Sequence, residues 1–167
     1  MRTLMTSLAF TLVAAVALAK LPARPPAPQS PEKPTKTFTS SAEVTALIAK
    51  AKSERKEGQP IVTEPMLELG LYDGHLEYRA SVGPAAVHEK EAEVFYVIDG
   101  SATLVTGGNL VKETRTNPTN LSGSAIEGGT SRIVAKGDFI LVPENTPHWF
   151  SSIDGVLVLF SMHVPRP

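Results

Sequence analysis

Hydrophobic and polar residues alternate along the last hundred residues of the chain in short runs that have the two-residue period of β-strands. The runs are rich in β-branched and aromatic residues, and turn sequences containing glycine, asparagine or aspartate separate them. The predicted strands cover residues 66–71, 75–82, 94–98, 102–105, 133–135, 139–142, 149–151 and 156–163. Many short strands without long helices predict an all-β domain, either a closed antiparallel barrel or two packed sheets.

Two turn sequences and one long segment divide this β region. Asp99-Gly100 and Asp154-Gly155 are typical of turns, so each is expected to end a strand. Residues 107–130 are polar and rich in glycine, asparagine and threonine, which favours a long surface loop. Such a loop can shape the mouth of a pocket.

A single helix is predicted over residues 39–58, before the strands begin. Ser40 and Glu43 have the spacing of a capping box, and Gly58 and Pro60 are expected to end the helix. The apolar positions fall on one helical face: Val44, Leu47, Ile48 and Ala51. This face is expected to pack on the β domain, and packing on a partner subunit is the alternative.

The first nineteen residues have the features of a secretory signal peptide. Arg2 precedes an apolar run that ends in Ala17-Leu18-Ala19, a small-x-small cleavage sequence, directly before Lys20. A membrane anchor is the alternative, but the run is shorter than the roughly 20 residues of a spanning helix. The sequence therefore predicts export with cleavage after residue 19, no stable membrane insertion afterwards, and a periplasmic or secreted bacterial protein.

Residues 20–38 are rich in proline and poor in large apolar side chains, which predicts an extended tether. Residues 59–167 then form the β domain and are long enough for one core. The chain has no cysteine, so packing and not disulfides must stabilise it. The net charge of −1 becomes −2 when Arg2 is removed with the leader, and the basic residues are scattered, which excludes a nucleic-acid-binding surface.

The first candidate functional motif runs from His88 to Gly100. It is similar to the first motif of the cupin superfamily, G-x5-H-x-H-x3-4-E-x6-G, in which His88 matches the second histidine, Glu93 the glutamate and Gly100 the closing glycine. The first histidine position is Ala86, which cannot bind a metal. The opening glycine position is Ala80.

The second candidate motif runs from Gly137 to Ser152 and resembles the second cupin motif, G-x5-P-x-G-x2-H-x3-N. Gly137, Pro143 and His148 match, whereas Asn145 replaces a glycine and Ser152 replaces the terminal asparagine. Asparagine is the non-glycine residue that best tolerates a left-handed backbone conformation, so Asn145 is expected to preserve the path of the turn.

The cupin resemblance implies a small antiparallel jelly-roll barrel with the helix at its N-terminal side. It also implies that His88, Glu93 and His148 bind a divalent transition metal, for which Fe(II), Mn(II), Ni(II) and Zn(II) are the candidates. Two histidines and one carboxylate leave coordination positions open for a small molecule. Because cupins commonly pair through sheet edges, a homodimer is a further expectation.

Alternation along the strands places Glu93 and Phe95 on the same inward face, as it does His148 and Phe150. A buried carboxylate needs a compensating partner, and the alternative to a metal is an ion pair with Arg79 from a preceding strand. The side chains expected to line the pocket are Tyr78, Arg79, Phe95, Phe150 and His163.

His75 and His163 lie outside both motifs and are expected at strand edges or on the surface. Either could supply the ligand missing at Ala86 if its strand runs beside the pocket, and His163 is the stronger candidate because it ends an apolar strand.

Three functions remain open at this stage. The chain can be a metalloenzyme acting on a small molecule, as a dioxygenase, isomerase or lyase. It can instead be a non-catalytic exported protein that binds a small ligand, or a structural barrel whose metal site has eroded from Ala86.

Overall fold

The computed structural model describes residues 35–166. The predicted leader and residues 20–34 of the predicted tether lie outside the described residues. The elements are, in order, α1 (Ser41–Glu54), β1 (Ile61–Leu69), β2 (Tyr72–Arg79), β3 (Ala85–His88), β4 (Glu91–Thr106), β5 (Asn109–Val111), β6 (Thr114–Asn117), β7 (Asn120–Gly123), β8 (Ala125–Glu127), β9 (Thr130–Ala135), β10 (Phe139–Val142) and β11 (His148–Pro165). Within residues 35–166, no helix is long and apolar enough to cross a membrane.

All strand pairs are antiparallel, as a jelly-roll requires. The main sheet has the order β1-β2-β11-β3-β7-β6, and β4 joins it by pairing with β9, β10 and β11. The two longest strands, β4 and β11, pair with each other over most of their length and form the central ribbon of the fold. Strands β5 and β8 form a separate small sheet. The predicted all-β antiparallel barrel with one N-terminal helix is confirmed.

Two apolar clusters lie on opposite sides of this sheet. The first fills the inside of the barrel and contains Phe95, Val97, Leu104, Phe150 and Leu159, among others. The second lies under α1 and contains Ala51, Val62, Met66, Leu76, Tyr78 and Val158. Val44, Leu47 and Ile48 pack against this second cluster, so the apolar face of the helix covers the outside of the sheet as predicted.

The helix begins where the sequence predicted but ends earlier. Ser40 caps α1, its side chain accepts from the Glu43 amide, and the Glu43 carboxylate accepts from the Ser40 amide, which completes the capping box. The last helical residue is Glu54 and not Gly58. Arg55 leaves the helical conformation, and its side chain donates to the Gln59 carbonyl. A turn at Glu57-Gly58, closed by a hydrogen bond from the Gln59 backbone amide to the Lys56 carbonyl, then leads into β1.

The prediction that Asp99-Gly100 and Asp154-Gly155 end strands is wrong, because both sequences lie inside the continuous strands β4 and β11. Gly100 and Gly155 have positive φ angles of 86° and 70°. They bend the ribbon near the point where the pairing register shifts between Asp154 and Val158. A side chain on Gly100 would lie 2.1 Å from the Val156 carbonyl oxygen, so two backbones approach closely there. The glycines thus bend one long ribbon and do not join separate strands.

The segment 107–130 is also more ordered than the predicted loop. It contains β5 to β8, and β7 pairs with β3 so that Asn120 lies opposite His88. At the N-terminal side, the last part of the predicted tether contacts the barrel, because Lys36 forms a two-way backbone bridge with Glu68 of the edge strand β1. This bridge satisfies backbone groups that an exposed edge would leave unpaired.

Candidate metal centre

His88, Glu93 and His148 come together at one end of the barrel interior. His88 ends β3, a short turn reverses the chain, and Glu93 follows in β4, while His148 begins β11 opposite Ala86 of β3. The Nε2 atoms of His88 and His148 lie 3.3 Å and 3.0 Å from the same atom, Glu93 Oε2. The structure therefore places the three predicted ligand residues around one point.

Glu93 is the centre of this arrangement and is 4% exposed. Burial alone would raise the pKa of its carboxyl group, but hydrogen bonds from His148 and His88 outweigh that effect and lower the pKa well below its usual range. The Ser161 hydroxyl, also buried, donates to Glu93 Oε1 at 2.6 Å. The carboxylate is thus held ionised, with one oxygen anchored by Ser161 and the other facing two imidazoles.

The second nitrogen of His148 has a fixed partner. His148 Nδ1 is 3.0 Å from the Thr146 carbonyl oxygen, which can only accept, so Nδ1 carries the proton. Nε2 faces Glu93 Oε2 at 3.0 Å, where it must donate an N–H to the carboxylate unless a metal ion takes the place of that proton. Histidines that bind metals are typically oriented in this way by a backbone carbonyl or a carboxylate.

His88 is held differently. Burial lowers its pKa, but the hydrogen bond and the charge of Glu93 more than compensate, so the pKa is raised from its ordinary value. Asn120 also raises the pKa of His88, because its side-chain oxygen can accept from the protonated ring. His88 Nδ1 and Asn120 Oδ1 are both buried, and within residues 35–166 neither makes a hydrogen bond of good geometry. Asn120 lies in the segment that the sequence predicted as a loop.

The turn before His148 confirms the role predicted for Asn145. Asn145 has a φ of 55°, in the left-handed region, where the related motif has glycine. In this conformation the backbone N–H of Asn145 donates to the His88 carbonyl oxygen at 2.7 Å. The second motif is therefore joined by its backbone to the first motif beside the candidate ligands.

Ala86 faces the same side of β3 as His88 and leaves one ligand position without a donor. His163 lies nearby, opposite Glu93 in the pairing of β4 with β11. Its Nε2 is 3.6 Å from Glu93 Oε1, and its ring packs edge-on against His88 with centroids 4.3 Å apart. His163 Nδ1 is 3.3 Å from Glu91 Oε2. Glu91, Ser161 and Asn120 were not predicted from the sequence as site residues.

The other predicted pocket residues divide between the two faces of the sheet. Phe95 lies inside the barrel, where its ring meets the rings of His148 and Phe150 edge-on. Arg79 lies over the Phe150 ring and pairs with Glu77 at 2.7 Å, so the alternative ion pair between Arg79 and Glu93 is replaced by a different one. Tyr78 packs in the cluster under α1 and does not face the candidate centre.

A polar cavity of about 260 Å³ adjoins the centre on the side of His163. Its lining residues are Leu71, Asp73, His75, Glu91, Asn120 and His163. His75 therefore lies at the cavity, whereas the histidines that pair with Glu93 among residues 35–166 are His88, His148 and His163. The cavity is large enough for a small polar molecule to reach the imidazoles from outside.

Several solved structures are similar to this chain at low sequence identity. BH2720 from Bacillus halodurans is 13% identical with a TM-score of 0.50, covering 79% of this chain and 83% of that one. KdgF from Halomonas sp. is 15% identical with a TM-score of 0.49, covering 68% and 86%. The iron(II) form of HppE is 12% identical with a TM-score of 0.48, covering 66% and 54%, so the chain spans about half the length of that protein.

A search of curated protein sequences finds no significant match. A family model described as Cupin matches residues 63–166, which include both motifs and all candidate ligands. Because this match spans more than half of the chain, the protein belongs to the cupin family.

Proposed function

We propose that this cupin binds a divalent transition metal through His88, Glu93 and His148 and presents it to a small molecule. The observation that carries the proposal is the convergence of two imidazole nitrogens on one buried carboxylate oxygen, at 3.3 Å and 3.0 Å. Ligand atoms about 2.1 Å from a metal lie about 3.0 Å apart in octahedral geometry and about 3.4 Å apart in tetrahedral geometry. Both distances from the carboxylate oxygen to the imidazole nitrogens therefore fall in the range found within a coordination shell.

The chemistry of the donors restricts the metal. Imidazole and carboxylate together suit Fe(II), Mn(II), Ni(II) and Zn(II), whereas Ca²⁺ and Mg²⁺ prefer shells made of oxygen. A buried, ionised carboxylate between two histidines is also costly to maintain without a cation. A bound metal would compensate the charge of Glu93 and act as a Lewis acid towards a molecule in the open positions.

The cavity beside His163 supports a small polar substrate or ligand. Its lining supplies two imidazoles, two carboxylates and one amide, and one of the imidazoles belongs to His163, which contacts Glu93. A molecule with two oxygen donors could occupy the cavity and bind the metal at the same time. The protein chain would then orient that molecule through Asn120 and the carboxylate of Glu91.

Calorimetric titration of the purified domain with each of the four metals tests the proposal. The wild type should bind one ion, and the double variant His88→Ala/His148→Ala should bind none at the same concentrations. Equal heats for both proteins would contradict the proposal and favour a structural barrel with an eroded site. If metal binds, turnover in oxidase, isomerase and lyase assays would distinguish an enzyme from a protein that only binds its ligand.

We also propose that the chain is exported and cleaved after Ala19, which the apolar run and the Ala17-Leu18-Ala19 sequence support. Mass spectrometry of the protein recovered from cells should then identify Lys20 as its N-terminal residue. A stable intracellular product that begins at Met1 would contradict export.

A further inference from the structure

We infer that His163 is a fourth metal ligand, supplied by the last strand in place of the histidine that is missing at Ala86. The inference rests on the metal site proposed above and changes its composition from two histidines and one carboxylate to three histidines and one carboxylate. His163 lies 75 residues along the chain from His88, outside both sequence motifs.

The positions of the nitrogens around Glu93 carry this inference. The Nε2 atoms of His88 and His148 approach Oε2 at 3.3 Å and 3.0 Å, and Nε2 of His163 approaches Oε1 at 3.6 Å. An ion beside the carboxylate would meet His88 and His148 where they stand. His163 would have to turn towards it, because among residues 35–166 its nitrogens come within 4.8 Å of donor atoms of His88 and Glu91 but form no such group with Glu93 and His148.

The outer nitrogens of His148 and His163 bear on the same assignment. His148 Nδ1 faces the Thr146 carbonyl at 3.0 Å, and His163 Nδ1 faces the Glu91 carboxylate at 3.3 Å. A metal-bound histidine typically gives its other N–H to a carbonyl or a carboxylate, which leaves Nε2 free for the metal. His163 Nδ1 lies 3.3 Å from Glu91 Oε2 without a hydrogen bond of good geometry, so Glu91 is placed to become its orienting partner when the ring turns towards the metal.

The fold explains how a residue so far along the chain can replace Ala86. Ala86 lies opposite His148 in the pairing of β3 with β11, and His163 lies opposite Glu93 in the pairing of β4 with β11. Ala86 therefore borders His148 and His163 borders Glu93, so the two positions approach the candidate centre from opposite ends of β11.

Affinity for Co(II), measured with a competing chelator, and the visible absorption spectrum of the Co(II) form test the inference. His163→Ala and the polar variant His163→Gln should each lower affinity by more than the ~10–100-fold that loss of an orienting partner costs. Their spectra should change because the coordination number falls. His75→Ala is the matched control: it removes an imidazole from the same cavity and should leave affinity and spectrum unchanged.

Restoring the missing histidine gives a second test. Adding Ala86→His to His163→Ala should recover most of the lost affinity, because the new imidazole projects from the face of β3 that carries His88. Glu91→Gln should cost only ~10–100-fold, as expected for an orienting partner. A loss as large as that of His163→Ala would instead make Glu91 a ligand in a separate site with His88 and His163, and would overturn the inference.

The outcomes separate this inference from the proposed function. If the wild type binds Co(II) but His163→Ala binds it with the same affinity and spectrum, His163 is not a ligand and the three-residue site stands. If the wild type binds no more than His88→Ala/His148→Ala, the proposed function fails and the inference fails with it.

Discussion

Glu93 Oε2 lies 3.0 Å from His148 Nε2, although the pairing of β4 with β11 aligns His148 with Thr106 and aligns Glu93 with His163. The two side chains meet because the long ribbon curls and closes the barrel, with β3 carrying the return contact to His148. The candidate centre is therefore a product of barrel closure. Substitutions that open the ribbon should damage the site as well as the fold.

The curl of the ribbon provides a test of the fold through two glycines. Gly155→Ala should cost about 1–2 kcal/mol of unfolding free energy. This cost comes from the positive φ of 70° alone, because an added Cβ meets nothing within 4 Å. Gly100→Ala should cost more, on the order of 3 kcal/mol, because its Cβ would lie 2.1 Å from the Val156 carbonyl oxygen. Urea unfolding of the two variants measures the difference. Equal losses of unfolding free energy in the two variants would contradict the close approach of β4 and β11 at Gly100.

The charge of Glu93 should be essential for metal binding. Glu93→Gln keeps the size of the side chain but removes the charge, so stoichiometric binding of Zn(II) or Mn(II) in calorimetry should be lost. Glu64→Gln is the matched control, because Glu64 is equally buried at 4% exposure but pairs with Lys50 at 2.5 Å, away from the imidazoles. Loss of binding in both variants would point to a general effect of buried charge and not to a ligand.

Metal affinity should fall as the pH is lowered. The fall should begin at a higher pH than it would for a site whose histidines have the ordinary pKa. Glu93 raises the pKa of His88 in the metal-free protein even though burial lowers it, so a metal must displace a proton that is bound more firmly than usual. Glu93 itself stays ionised, because its pKa lies below the usual range. Calorimetry in buffers of different ionisation enthalpy measures the protons released.

The raised pKa of His88 predicts opposite pH trends for the stability of the metal-free protein and for metal binding. A raised pKa in the folded protein stabilises it at pH values below the pKa of His88 in the unfolded chain, and this contribution is lost as the pH rises through the folded value. Metal binding follows the opposite trend. The difference in melting temperature between metal-loaded and metal-free protein should therefore widen from about pH 6 to pH 8. A constant difference would argue that His88 does not bind the metal.

Local sequence patterns predicted the parts of the site that depend on short spacings. The offsets of His88 from Glu93 and of Pro143 from His148 match the two cupin motifs, so the resemblance indicated the ligands without knowledge of the barrel. The left-handed conformation of Asn145 and the capping box of Ser40 are similarly local, and both occur in the structure.

Features that depend on long-range register were not predictable in this way. A glycine with positive φ is as typical of a kink within a strand as of a hairpin, so Asp99-Gly100 suggested a turn where β4 continues. Glu91 and Ser161 act at the site only because the β4–β11 register places His163 opposite Glu93 and Ser161 opposite Phe95. Nothing in the local sequence around these residues encodes that alignment.

Diffraction from crystals soaked in Zn(II) or Mn(II), measured at the absorption edge of the metal, tests the central claim most directly. We expect one anomalous peak about 2.0–2.2 Å from Nε2 of His88, Nε2 of His148 and a carboxylate oxygen of Glu93. A peak elsewhere, or none while these three side chains keep their present positions, would contradict a metal centre in this cupin.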